Sequence, residues 1–179
     1  PEGYSENDVP APISKYGETK LAGERFVLEN SAGGYVIRLS KLFGRPGVSE
    51  VAKPSFVTMM LRLARTRPEL AIVDEEVGTP TYTRDVALAT LALLENEGAP
   101  GIYHFINEGP GVTWYQFAEE FFSLCNIATA RRPVSSADFP KPAKRPRFAA
   151  MRNTKFPPLP ERRRALQEFL IERGGRVLY

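Results

Sequence analysis

The spacing of hydrophobic positions changes several times along this chain, and each change marks an expected element. The first twelve residues, PEGYSENDVPAP, hold three prolines and three acids and predict an irregular approach. A helix is expected from about Ser14 to Glu29, stopping near Gly33–Gly34. YVIRLSKLFG then reads as a buried strand closed by the turn signal GRPG. Residues 52–66 place Phe56, Met59, Met60 and Leu63 on one helical side. LAIVD is a short apolar strand, EEVGTPTYT a loop, and Asp85–Asn96 an Ala/Leu-rich helix ending at Gly98. GIYHFIN is another strand and EGPG a turn. Thr113 and Gln116 form a Thr-x-x-Gln capping box for a helix through Phe117, Phe121 and Leu124. Prolines dominate beyond Arg131 until a last helix over 162–172. Strands alternating with helices predict an α/β fold with a largely parallel sheet. A boundary is drawn near Gly47.

Composition narrows the class. Of 179 residues, 42% are apolar and 25% charged, an ordinary soluble globular balance. No apolar run approaches the ~20 residues of a membrane span, and no charged-then-apolar leader is visible. The single cysteine, Cys125, cannot form an internal disulfide and fits a cytoplasmic location; beside Phe121, Phe122 and Leu124 it reads as a buried thiol. Net charge is +3, unevenly spread. Residues 131–179 hold 13 Lys/Arg against 4 Asp/Glu, and residues 1–130 hold 11 against 17. A basic tail on an acidic body suits either a phosphate-bearing partner or a solvated surface. The tail lacks a recognition helix and interleaves few aromatics, so no nucleic-acid partner is expected.

Candidate chemistry enters with SKYGETKLAGE. Tyr16 and Lys20 lie four apart on an expected helix, so both side chains leave one face. A phenol titrates near ~10, and a neighbouring ammonium favours its anion. A tyrosine so placed can hand a proton to a carbonyl oxygen while hydride reaches the carbon. The ammonium has a second task open to it, holding a ribose hydroxyl.

The wider context resembles a family. YSENDVPAPISKYGETKLAGERFV is similar to the acidic, proline-containing loop and Tyr-Gly-x-(Ser/Thr)-Lys helix of extended short-chain dehydrogenase/reductases, in particular the dTDP-4-dehydrorhamnose reductase family. VIRLSKLFG, PSFVTMMLRLA, LAIVDEEVGTPTYTRDVA, GIYHFINEGPGVTWYQFA and PAKRPRFAAMRNTKF resemble later segments of that family in the same order.

The resemblance implies the C-terminal part of a Rossmann-like parallel-sheet fold plus a smaller sugar-nucleotide-binding subdomain. Residues 1–47 would end the dinucleotide-binding domain, and 48–179 would be mainly substrate-binding, with elements returning to the sheet. It further implies NAD(P)H-dependent reduction of the 4-keto group of a nucleotide-linked deoxysugar. Tyr16 and Lys20 would be catalytic and touch cofactor, and Lys41, Phe56, Thr79, Pro80, Thr81 and Arg145 would bind substrate. Arg145, in KRP, suits a diphosphate because a guanidinium grips phosphate as a fork; Lys144 and Arg147 either share that task or are solvated. For Thr79–Thr81 an ordinary proline turn is the alternative.

A dinucleotide site needs a strand, a glycine-rich turn and a helix. FGRPGVSE has Gly44 and Gly47, but Glu50 stands where a further glycine would be, and NEGPGVTW reads better as a turn. The NADPH or NADH site is therefore expected largely outside this chain, in a missing N-terminal half or a companion chain, with the chain inactive alone and an apolar face exposed. A homodimer is a further expected partner. Three positions depart from the family: Lys41 for tryptophan, Ser55 for asparagine and Glu76 for glutamine. A lysine for a ring removes a stacking surface and adds charge. A non-catalytic alternative stays open, since the regulatory subunit of methionine adenosyltransferase is similar to these reductases. Of the remaining candidates, Asp85 reads as a helix cap, His104 as packed and Trp114 as core.

Overall fold

A computed structural model describes residues 2–49, 51–140 and 142–172. Glu50 of FGRPGVSE, Lys141, and the end of the basic tail at 173–179 lie outside the described residues. Helix α1 spans Lys15–Asn30, opened by Ser14, whose hydroxyl accepts the Gly17 N–H at 3.3 Å. Strands β1 (Tyr35–Arg38) and β2 (Leu42–Phe43) replace the single expected strand. Helix α2 covers Phe56–Leu63, shorter than 52–66. Pro54 disfavours helical backbone at Lys53, so the helix begins only after Ser55, which caps it through Thr58 N–H.

Strand β3 is Glu69–Val73, and the expected loop after it contains β4 (Val77–Gly78) and β5 (Thr81–Tyr82). Then come α3 (Thr83–Glu95), β6 (Gly101–His104), β7 (Asn107–Glu108) and α4 (Trp114–Leu124). The α4 capping box is present in both directions: Thr113 accepts from Gln116 N–H, and Gln116 accepts from Thr113 N–H. The proline-rich region, expected to be irregular, holds β8 (Ala130–Val134), β9 (Phe148–Ala149) and β10 (Leu159–Glu161) before α5 (Arg162–Glu172).

Every named strand pair is parallel: β1 with β6, β2 with β5, β3 with β8, β4 with β9 and β7 with β10. The α/β expectation holds, but as five two-stranded pairs. The larger core gathers Phe43, Val57, Met60, Phe117, Phe121 and Phe169, among others, between α2, α4 and α5. A smaller one packs α3 through Ala89 and Leu93 onto Tyr103 and Phe105, with Tyr35 and Ile37 against it. On β1, the guanidinium of Arg38 grips Glu24 of α1 in a fork at 2.7–3.1 Å. Yet α1 has no buried residue, and Ile13, Tyr16, Phe26 and Leu28 are exposed. Among the described residues, no helix is long and apolar enough to cross a membrane.

Candidate functional site

The candidate residues fall into two groups, one on α1 and one around Trp114. On α1 the four-residue spacing does what it predicts. The Lys20 ammonium stands 5.7 Å from the Tyr16 ring centroid, and Tyr16 is 70% exposed. Among the described residues Lys20 has no hydrogen-bond or ion-pair partner, so its three donors face solvent with the phenol.

The second group forms where β4, α2 and the start of α4 meet. Because Thr113 fixes the first turn of α4, the Trp114 indole is held against Phe56, with ring centroids 4.5 Å apart. Lys41 lies across β4: a Cβ at Gly78 would come within 2.9 Å of its Cε, so only glycine lets the stem pass. Its ammonium then sits 4.1 Å from the Trp114 ring centroid and donates to the carbonyl oxygens of Glu76 and of Val112. Trp114 Nε1–H donates to Glu76 Oε2 at 3.1 Å. Nη1 of Arg145, from the basic tail, stands 3.9 Å from the same oxygen. Glu76 is buried at 7% exposure, while the Arg145 side chain is 53% exposed.

Of the expected substrate residues, the structure thus brings Lys41, Phe56 and Arg145 together. Trp114, read as core, completes them and supplies an aromatic face beside Lys41. Thr79, Pro80 and Thr81 are buried. The Thr81 hydroxyl is engaged by the Thr79 carbonyl at 3.0 Å, and Thr81 N–H by the Lys41 carbonyl. Lys144 and Arg147 are exposed.

A clasp that sequence reasoning missed links the two groups. The loop before α1 pairs with the chain after β9: Tyr4 N–H donates to Ala150 O, and Arg152 N–H to Tyr4 O. Glu6, 4% exposed, accepts the Thr154 hydroxyl at 2.6 Å and the backbone N–H groups of Thr154 and His104. Burial pushes the Glu6 carboxyl up, but these hydrogen bonds outweigh it and hold it below its ordinary value. His104 is packed as expected, its Nδ1 3.1 Å from Arg152 O. Burial pushes it below the usual histidine range. Only the acids in residues 1–12 hinted at this clasp, because its partners lie some 150 residues away. Cys125 is buried as expected.

Asp85 does not cap α3. The preceding strand runs straight into the helix, so Tyr82 occupies the cap position without a side-chain bond. Asp85 instead turns inward and accepts from Asn107 Nδ2 at 2.6 Å, while Asn107 Oδ1 accepts Tyr82 N–H. Burial raises the Asp85 carboxyl despite that bond.

The chain matches the RmlD substrate binding domain over residues 1–172. It belongs to that family. The RmlD-type chain is 38% identical over 185 residues to a dTDP-4-dehydrorhamnose reductase of Streptomyces griseus, covering 97% of this chain and 59% of the relative. It is 33% identical to the spore coat polysaccharide biosynthesis protein SpsK of Bacillus subtilis, covering 96% and 59%. Its fold superposes with a TM-score of 0.86, at 34% identity, on the crystal structure of a Bacillus anthracis dTDP-4-dehydrorhamnose reductase in complex with NADP, covering 96% of this chain and 60% of that one. This RmlD-type chain therefore spans about three fifths of the length of the relatives it matches.

Proposed function

We propose that this chain is the acid-bearing and substrate-binding part of an NAD(P)H-dependent sugar-nucleotide reductase. The complete protein would reduce the 4-keto group of a nucleotide-linked deoxysugar of the dTDP-4-dehydrorhamnose type. The observation that carries this reading is the Tyr16–Lys20 pair, on one exposed helix face of an RmlD-family chain.

A nicotinamide held beside Tyr16 would supply the hydride. Tyr16 Oη–H donates its proton to the keto oxygen, which becomes a hydroxyl, and Lys20 stabilises the phenolate left behind. The Lys20 ammonium, without a hydrogen-bond or ion-pair partner among the described residues, also fits a ribose hydroxyl, so the residues present suit the ribose end of the cofactor. No glycine-rich turn here suits its pyrophosphate, which the reading assigns to residues outside these 179. The Trp114–Phe56 face would stack on the ligand's flat or apolar parts, and Arg145 would bind its diphosphate.

The test mixes the complete protein with NADPH, or NADH, and a panel of 4-keto-sugar nucleotides. Cofactor oxidation with at least one of them is expected, and none from the 179-residue chain alone. Silence across the panel, together with stable co-purification of a partner enzyme, would instead support a regulatory subunit of this fold.

A further inference from the structure

Arg145, the residue assigned to the diphosphate, is not idle in the unliganded site. Its guanidinium faces a carboxylate, Glu76, at a position where the resembling family carries glutamine. We infer that Glu76 sets the affinity of this site for phosphate-bearing ligands, acting as an internal anion that competes for Arg145. The inference rests on the functional reading above, because it takes a nucleoside diphosphate as the ligand of Arg145.

The geometry separates a competing carboxylate from a simple structural one. Glu76 is fixed from below: its Oε2 accepts Trp114 Nε1–H at 3.1 Å, and its own carbonyl accepts from Lys41. It is nearly buried, so it cannot swing away when a ligand arrives. The Arg145 side chain is half-exposed, on an exposed stretch over residues 142–147. At 3.9 Å the two charges attract without a hydrogen bond. Such a contact is weak enough for a diphosphate to displace, since a bidentate guanidinium–phosphate bond is stronger. The ligand must nonetheless accept a fixed negative charge beside its own. Lys41 lies on the same carboxylate-bearing residue and offsets part of that charge, so the two departures from the family act as a pair: a lysine for a ring and a glutamate for a glutamine. The site then favours ligands that bring enough negative charge to take Arg145 from Glu76. It disfavours a monophosphate or an uncharged sugar.

The only tryptophan of the chain sits in this cluster, so its fluorescence reports on the site directly. Titrating the 179-residue chain with dTDP should change Trp114 emission. Glu76→Gln keeps an acceptor for the indole N–H and removes the charge. It should tighten dTDP about tenfold, allowing for screening at a half-open site. In an Arg145→Gln background the same change should have at most about a third of that effect. Arg145→Gln alone, a surface change that leaves the fold intact, should weaken dTDP about hundredfold, because the diphosphate loses its guanidinium fork. Far-UV circular dichroism confirms that each variant is folded. Unchanged or weaker dTDP binding in folded Glu76→Gln overturns the inference, as does an equal gain with and without Arg145. If Glu76→Gln does not fold, unchanged dTDP binding in Arg145→Gln overturns it. If no protein in the series responds to dTDP, the nucleotide-sugar reading itself fails, an outcome distinct from the other two.

Discussion

Helices α1 and α4 are built from similarly ordinary helix-forming residues, yet the fold uses them in opposite ways. The 11-residue α4 buries Phe117, Ala118, Phe121 and Phe122, carries a complete capping box and anchors the larger core. The 16-residue α1 buries nothing, leaves Tyr16, Phe26 and Leu28 in solvent, and is held by its Ser14 cap, the Arg38–Glu24 fork and the loop clasp. Helical stability in proteins comes mostly from packing an apolar face. So α4 is stabilised by this chain's own core, whereas α1 leaves Tyr16, Lys20, Phe26 and Leu28 in solvent.

The contrast breaks most visibly under truncation. Phe121→Ala should cost about 3–5 kcal/mol in denaturant unfolding, through a cavity ringed by Phe56, Phe117 and Phe122. Phe26→Ala on α1 should stay within about 0.5 kcal/mol. Comparable losses would show that α1 is packed after all.

Capping offers a smaller lever. Thr113→Ala should cost about 1 kcal/mol. It should also alter Trp114 emission, because Thr113 caps the turn that carries the indole and donates to the Asp74 carboxylate. Ser14→Ala should cost no more than this, its bond to Gly17 being longer at 3.3 Å.

Acid sharpens the comparison further. Glu6 is held below its ordinary value of 4.5, so its contribution is present above that value and lost as pH falls through the lower folded one. His104 is held below 6.5, so it too stabilises fully above that value, and its share fades as pH drops from there. The melting temperature should therefore decline progressively below about pH 6.5. Thr154→Val should lower stability by about 1 kcal/mol at neutral pH and flatten the part of the decline below 4.5. A pH profile identical to the parent's would remove Glu6 from the clasp.

What was legible in the sequence was local. The α4 capping box, the α1 cap and the Tyr16–Lys20 spacing depend on residues three or four apart, and all three hold. The start of α2 depended on reading Pro54 as a barrier. Strands β8, β9 and β10 were invisible because they are two to five residues long, lie in a proline-rich stretch, and form by pairing with distant segments. The site followed the same rule. Lys41, Phe56 and Arg145 could be named singly, but their meeting at Trp114 and Glu76 depends on contacts spanning up to about 70 residues. Asp85 was misjudged because its partner, Asn107, belongs to another strand.

The central claim is that Tyr16, supported by Lys20, is the proton donor of a ketone reduction. The most direct measurement is turnover of the complete protein carrying Tyr16→Phe, with cofactor affinity determined alongside. The account predicts a fall in kcat of about 10²–10⁴-fold with NADPH affinity within about twofold of the parent. Turnover equal to the parent's would contradict it.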